Sequence, residues 1–207
     1  MKVVLINGSP NEKGCTFTAL EEVGSALAES GISTEIIHVG GGAISGCTGC
    51  GACTRNANRC VLPDGKVNQA LDSMDTASGL VVGTPVYFAS PNGALLSFMD
   101  RLFMAGRAFT RKPAAAIASA RRAGTTASLD AIHKYYSLAG MPIVSANYYN
   151  VIHGHTPDET RQDLEGMQTM RVLGRNMAWL LQSIQAGAAA GVQLPVAEAK
   201  IKTSYIR

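Results

Sequence analysis

MKVVLINGSPNEKGCTFTAL, residues 1–20, settles the architecture. Lys2 to Ile6 is a run of β-branched and aliphatic residues, short enough for a buried strand. Asn7-Gly8-Ser9-Pro10-Asn11 breaks it with turn-forming residues, and Lys13-Gly14-Cys15-Thr16 follows. Phe17, Leu20, Val23 and Leu27 then fall on one face of a helix. A strand, a polar glycine-containing loop and a helix N-terminus aim backbone N–H groups and the helix dipole at an anion such as a phosphate. Ser9 and Thr16 add hydroxyls, and only Glu12 brings a carboxylate near in sequence. The stretch is neither a Walker A loop, since no Gly-Lys-Ser/Thr follows, nor the GxGxxG dinucleotide pattern. An ordinary strand-to-helix turn is the competing reading.

Outward from this stretch, apolar strands alternate with helical patterns. Ser30-Gly31 stops the first helix. Thr34 to Val39, Leu80 to Val82 closed by Gly83, Pro113 to Ser119 and Met141 to Ser145 read as further strands. Between them, helices are expected over 67–74, from an N-cap at Ser90 with Pro91 in the first helical position, and from the loop 121–126 to about Gly140. Asp100-Arg101 is expected to pair locally or to cap a neighbouring loop. Thr156-Pro157-Asp158-Glu159 is a capping box for one long helix carrying Leu164, Met167, Met170, Leu173, Met177, Leu180 and Ile184. Five strands alternating with helices imply a parallel sheet covered on both faces, with its ligand beyond the strand C-termini where strand order reverses. Residues 1–186 read as one domain with a cysteine-rich insertion at about 40–66. Residues 187–207 read as a tail with Lys200, Lys202 and Arg207, packed on a partner subunit or mobile.

Composition narrows the function classes. The chain has 207 residues, 46% hydrophobic, with a net charge of +3 spread along its length, which argues against nucleic-acid binding. The N-terminal apolar run is too short for a signal peptide and no run approaches the length of a membrane span, so a cytoplasmic protein without a membrane partner is expected. Five cysteines in such a chain point to metal, redox chemistry or burial before disulfides. Four of them, Cys47, Cys50, Cys53 and Cys60, are spaced C-x2-C-x2-C-x6-C among Gly46, Gly49 and Gly51. Three thiolates at this spacing can wrap one corner of an iron–sulfur cube, with a fourth arriving after a short excursion. Zinc, a disulfide and four reduced thiols are the alternatives. His153-Gly154-His155 reads as a pair of loop histidines before a metal site, and Arg121-Arg122 as a solvated pair or a contact for a phosphate or acidic partner.

The chain resembles the flavodoxin-like NADPH-dependent FMN reductase superfamily, and within it the iron–sulfur flavoproteins. The resemblance rests on Asn7-Gly8-Ser9-Pro10 with Gly14-Cys15-Thr16, Gly83-Thr84-Pro85-Val86-Tyr87-Phe88, Phe98-Met99-Asp100-Arg101, Arg121-Arg122-Ala123-Gly124 and Tyr148-Tyr149-Asn150. It implies an α/β flavodoxin-like three-layer sandwich with a five-stranded parallel sheet in the order 2-1-3-4-5. It implies FMN, with the phosphate on Ser9, Asn11, Cys15 and Thr16. The isoalloxazine would lie along Thr84, Pro85, Val86, Tyr87 and Phe88, with Ser119, Arg121 and Gly124 closing the other side. Core packing is the competing role for Tyr87 and Phe88. The resemblance implies a [4Fe–4S] cluster on Cys47, Cys50, Cys53 and Cys60, and a homodimer or homotetramer. Hydride transfer at flavin N5 would need no catalytic side chain. Two functions follow: an NAD(P)H-dependent FMN oxidoreductase feeding a small-molecule acceptor such as a quinone, or an electron-transfer module fed by ferredoxin. A non-redox nucleotide-binding protein on the same scaffold is the third.

Overall fold

The computed structural model describes residues 1–63, 65–106, 109–199, 201 and 203. Its strands are β1 (Lys2–Asn7), β2 (Ser33–His38), β3 (Gly79–Tyr87), β4 (Ser90–Pro91), β5 (Ala114–Ala120) and β6 (Val151–His153). Its helices are α1 (Cys15–Glu29), α2 (Gly65–Thr76), α3 (Gly93–Ala105), α4 (Thr125–Ala139), α5 (Pro157–Gln162) and α6 (Leu164–Ala189), with a 3-10 turn at Ala52–Arg55. The parallel strands run β2-β1-β3-β5-β6, which is the expected 2-1-3-4-5 order once the hairpin strand β4 is set aside. The chain switches direction across the sheet between β1 and β3, whose C-terminal ends therefore open a crevice.

Alternation along the strands builds two cores. Val4, Ile6, Leu80, Val82, Ala114, Ala116 and Ala118 face α2, α3 and α4. Val3, Leu5, Val81, Ala115 and Ile117 face α1 and α6, whose Leu20, Val23, Leu27, Leu173 and Met177 are fully buried. Each such aliphatic side chain contributes about 1.5–3 kcal/mol when removed from water. Gly174 lets α6 ride directly on Ala26 and the Val23 carbonyl of α1. The Met stripe of α6 is core packing for Met170 and Met177, as its spacing suggested.

Three elements differ from their sequence reading. The fifth parallel strand is split. Ile143 makes only an isolated bridge to Ala114, and pairing resumes where Val151 lies beside Ala118. Eight residues on one strand thus match four on the other, so the chain between 144 and 150 bulges out and the ordered part moves to Val151–His153. Ser90-Pro91 does not start a helix. It pairs antiparallel with Val86 and Tyr87 across a tight turn at Phe88-Ala89, and Asn92 is the N-cap of α3, accepting from the Leu95 N–H at 3.1 Å. The long last helix is broken at Asp163, whose carboxylate caps α6 through the Gly166 N–H at 2.9 Å. The capping box at Thr156 starts only the short α5.

The described residues after α6 are exposed, and the Pro195 carbonyl accepts from Arg111 Nη2 at 3.2 Å. Lys200, Lys202 and Arg207 lie outside the described residues. Among the described residues, no helix is long and apolar enough to cross a membrane.

Candidate flavin site and cysteine pocket

The loop after β1 is wired from within. The Gly8 N–H donates to the Gly83 carbonyl at 2.9 Å, joining the ends of β1 and β3. Asn7 is fully buried; its Oδ1 accepts from the Ser9 N–H at 3.1 Å and its Nδ2 donates to the Glu12 carbonyl at 2.8 Å. Ser9 Oγ accepts from the Asn11 N–H at 3.1 Å. The N-cap of α1 is Gly14, which offers no side-chain acceptor, and no acidic residue lies in the first turn. The first N–H groups of α1 therefore face outward with the positive end of the helix dipole behind them, which is the composition of an anion seat.

The second and third loops close on the first. Thr16 Oγ1 and Ser119 Oγ lie 2.7 Å apart, joining α1 to the end of β5, and Ser119 Oγ also reaches the Thr84 carbonyl at 3.5 Å. Thr84 is fully buried, and its hydroxyl accepts from the Asn92 N–H at 3.0 Å while donating to the Pro85 carbonyl at 2.9 Å. It shapes the site from behind. Pro85 and Val86 are partly exposed, and Tyr87 and Phe88 open to solvent. Phe88 has φ 49° and Ala89 φ 58°, a left-handed pair in a two-residue hairpin where Asn-Gly would be at ease. A bulky ring held there and left wholly exposed is backbone strain that no packing of the ring repays. This also disposes of core packing as the role of Phe88. Gly124, at φ 95°, sits under this turn, where a Cβ would come within 2.6 Å of Ala89 Cα. Arg121 is exposed at the rim.

Of the residues singled out in the sequence, Thr16, Ser119 and the Thr84 carbonyl meet in one buried polar cluster. Ser9 is buried in the loop after β1, bonded to Asn7, Asn11 and His38, and Gly124 packs against Val86 in the segment Pro85 to Phe88. Asn11 lies at the exposed lip. The Cys15 thiol turns aside, donating to the Gly154 carbonyl at 3.7 Å. That contact brings His153 and Gly154 to the edge of the site. His153 Nδ1 donates to the Ala120 carbonyl at 3.0 Å.

Two further residues support the loop after β1, one of them a histidine whose place in the sequence reads as a strand end or the surface rather than a ligand. His38 Nε2 donates to the Ser9 carbonyl at 2.8 Å, and Gly40 lies so close to Ser9 that a Cβ there would overlap its carbonyl. A histidine ending a strand, with three glycines beyond Val39, is the signal that was available.

The cysteine loop lies on the α3 face, between β2 and α2. Cys47, Cys50, Cys53 and Cys60 line one small pocket together with Arg101, Met104 and Ala105 of α3. All four are free thiols. Gly49 and Gly51 take left-handed φ values of 66° and 67°, turning the backbone between successive cysteines. The Cys50 thiol is held below its ordinary pKa, first by the Ala52 N–H and then by Thr48. Cys53 Sγ donates to the Met104 carbonyl at 3.8 Å. Among the described residues, no three Cys, His, Asp or Glu are gathered closely enough to grip a single metal ion. The donor set nonetheless suits a thiolate-ligated cluster: among the described residues the lining offers four cysteine thiols and one guanidinium, and no carboxylate.

The model of the NADPH-dependent FMN reductase family matches residues 1–156. The chain belongs to that family. An iron–sulfur flavoprotein of Methanocaldococcus jannaschii is 30% identical over 194 residues, covering 89% of this chain and 100% of its own length. One from Methanosarcina thermophila is 29% identical over 193 residues, covering 89% and 97%. These relatives place the chain in the iron–sulfur flavoprotein branch of the family. RosB, solved with 8-demethyl-8-formylriboflavin-5'-phosphate bound, superposes with a TM-score of 0.72 over 100% of this chain and 94% of its own. At 16% identity that likeness is one of fold. As a member of the FMN reductase family with this crevice, the protein is an FMN-dependent oxidoreductase.

Proposed function

We propose that the protein takes electrons from NAD(P)H onto FMN and passes them to a small-molecule acceptor such as a quinone, with a [4Fe–4S] cluster on Cys47, Cys50, Cys53 and Cys60. The observation that carries the flavin placement is the convergence of three strand-end loops at the uncapped start of α1, pinned by the Thr16–Ser119 contact. The α1 N–H groups, with Ser9, Asn11, Cys15 and Thr16, would seat the phosphate. Pro85 to Phe88 would line the ring, with Ser119, Arg121 and Gly124 opposite. Bound FMN would supply two-electron acceptance and one-electron release. The chain's own work is orientation: the turn at Phe88-Ala89 is held in a costly conformation at the end of β3, with the Phe88 ring left free in solvent for what would bind there. NAD(P)H and the acceptor would use the side that Tyr87 and Phe88 leave open.

The four-cysteine pocket favours a second reading, in which one-electron traffic dominates and ferredoxin is the donor. The cysteine residues would have to draw together around a cluster, and Cys47 to Cys53 lies in a largely exposed segment able to do so. Domain limits of 1–186 with a tail at 187–207, a cytoplasmic location and a homodimer or homotetramer belong to the same proposal. Free thiols throughout and the exposed Met104 and Leu138 on α3 and α4 support the last two.

Protein purified without oxygen decides between them. Flavin bands with about four irons per chain, rapid bleaching by NAD(P)H and turnover with a quinone support the first reading. Slow bleaching by NAD(P)H with fast reduction by reduced ferredoxin supports the second. A colourless protein that cannot be reconstituted with FMN would sink both.

A further inference from the structure

We propose that Arg101 is the positioning residue of the cysteine pocket, holding Cys60 through an N–H···S hydrogen bond and raising the reduction potential of the cluster bound there. The inference rests on the cluster reading above and adds a role for a residue outside the cysteine motif.

Arg101 lies on α3 and is 1% exposed. A guanidinium is buried only where its donors are met, because stripping its water is expensive. Its donors spread over both limbs of the cysteine loop. Nη1 reaches the Ser45 carbonyl at 3.4 Å and Ser45 Oγ at 3.3 Å, on the limb entering Cys47. Nη2 donates to the Leu62 carbonyl at 2.9 Å, on the limb leaving Cys60. Nε donates to Cys60 Sγ itself at 3.3 Å. The rigid fork of an arginine meets acceptors in these separate directions; a lysine ammonium, on a flexible stem, does not.

Carbonyl and hydroxyl contacts alone would make Arg101 a clamp. The contact to sulfur has a further consequence. An N–H pointed at a thiolate ligand stabilises the more negative, reduced state of a cluster, and so does a buried positive charge close by. Both effects act in the same direction here. The same helix also touches Cys53 through the Met104 carbonyl, so α3 meets two of the four sulfurs. Its other end is capped by Asn92, beside the Phe88-Ala89 turn of the flavin site. One rigid helix therefore links the geometry of the cysteine pocket to that of the flavin wall.

The test compares the full-length protein with Arg101→Gln, Arg101→Lys and Ser45→Ala, all handled without oxygen. Iron, sulfide and FMN per chain, melting temperature and the cluster midpoint potential are measured on each. In Arg101→Gln, the oxidised-to-reduced ratio at the wild-type midpoint is expected to rise about tenfold, a fall of about 59 mV for a one-electron couple. Arg101→Lys is expected to fall less, since it keeps the charge and loses the N–H to sulfur. Ser45→Ala is expected to keep the wild-type potential. Loss of iron from Arg101→Gln with FMN and melting temperature retained also supports the assignment, as failure to hold Cys60. Equal potentials in the wild type and both Arg101 variants would overturn it. So would a Ser45→Ala shift as large as that of Arg101→Gln, or joint loss of FMN, iron and folding in both Arg101 variants. A wild type with FMN and no iron would instead remove the cluster reading itself, and the role of Arg101 with it.

Discussion

The proposed phosphate-seat loop and the cysteine loop both leave the C-terminal end of a strand, and both are polar and rich in glycine. They are held in opposite ways. The first is fixed by many short-range contacts: Asn7 bonds to both its limbs, His38 and Gly40 press on Ser9, and the Gly83 carbonyl anchors Gly8. The second is exposed over most of its length and is gathered from outside, by buried Arg101 of α3 and by α2, where Asn68 bonds to both backbone groups of Cys60 and Asp72 and Asp75 pair with Arg59. A phosphate seat works by preorganised N–H groups, so its rigidity is part of the binding energy. A cluster brings its own strong bonds, so its loop needs only the right sulfurs within reach.

That contrast is sharpest in the cysteines. Cys53→Ser is expected to remove nearly all iron while leaving FMN content unchanged, because Cys53 meets α3 at the Met104 carbonyl and not the loop after β1. Iron and flavin assays on the same sample check it, and concurrent loss of flavin would show that the two loops are not separable. Next in size is Gly40→Ala. Its methyl must displace the Ser9 carbonyl, an overpacking cost of about 1–3 kcal/mol. FMN affinity, read by fluorescence titration of apoprotein, is expected to fall by about ten- to a hundredfold, since 1.4 kcal/mol is a factor of ten. Unchanged affinity would mean that the seat is as adaptable as the cysteine loop.

A smaller effect of opposite sign is expected at the hairpin. Phe88→Asn with Ala89→Gly suits the left-handed backbone and should stabilise by about 1 kcal/mol. In a chain of this size that is roughly 2–4 °C in melting temperature. Turnover with the acceptor should fall as the exposed ring is lost. A gain in stability without any change in turnover would separate strain from function.

The smallest effect lies away from both loops. Burial of His133 on α4 lowers its pKa, only partly opposed by Asp130, and its Nε2 has no partner among the described residues. The folded protein thus prefers the neutral ring, and the unfolded chain binds the extra proton first. Stability from this group is present above the ordinary histidine value of about 6.5 and is lost as pH falls through the lowered one. His133→Gln should flatten the dependence of melting temperature on pH below 6.5 or so and leave flavin binding as it was.

Much of this was legible in the chain. Lys2 to Ile6 and Leu80 to Val82 announce buried strands because a central parallel strand is apolar on both faces. Ser9, Thr16 and Gly14 announce the seat because loop chemistry there is local. What stayed hidden depended on distant partners. Phe88-Ala89 carries no turn signal, since the hairpin is imposed by the β3 ladder and by Gly124 beneath it. Met141 to Ser145 looks as strand-like as Val151 to His153, and only register against β5 separates them. Asp163 reads as one more helix residue until its carboxylate is seen capping α6. Arg101 was open between a local pair and a loop cap, and the cap is what the fold uses; no periodicity reveals which sulfur its Nε faces.

The bare aromatic at Phe88 has a practical use as well. A protease that cuts after large aromatics meets its ideal substrate there: a protruding, solvent-facing ring at the tip of a two-residue loop. With flavin seated against the hairpin, that bond should be shielded, and with the seat empty it should be the first to go. The fraction of chain cleaved in a brief digestion would then report site occupancy in crude extracts, with no need for the protein to turn over or even to be coloured.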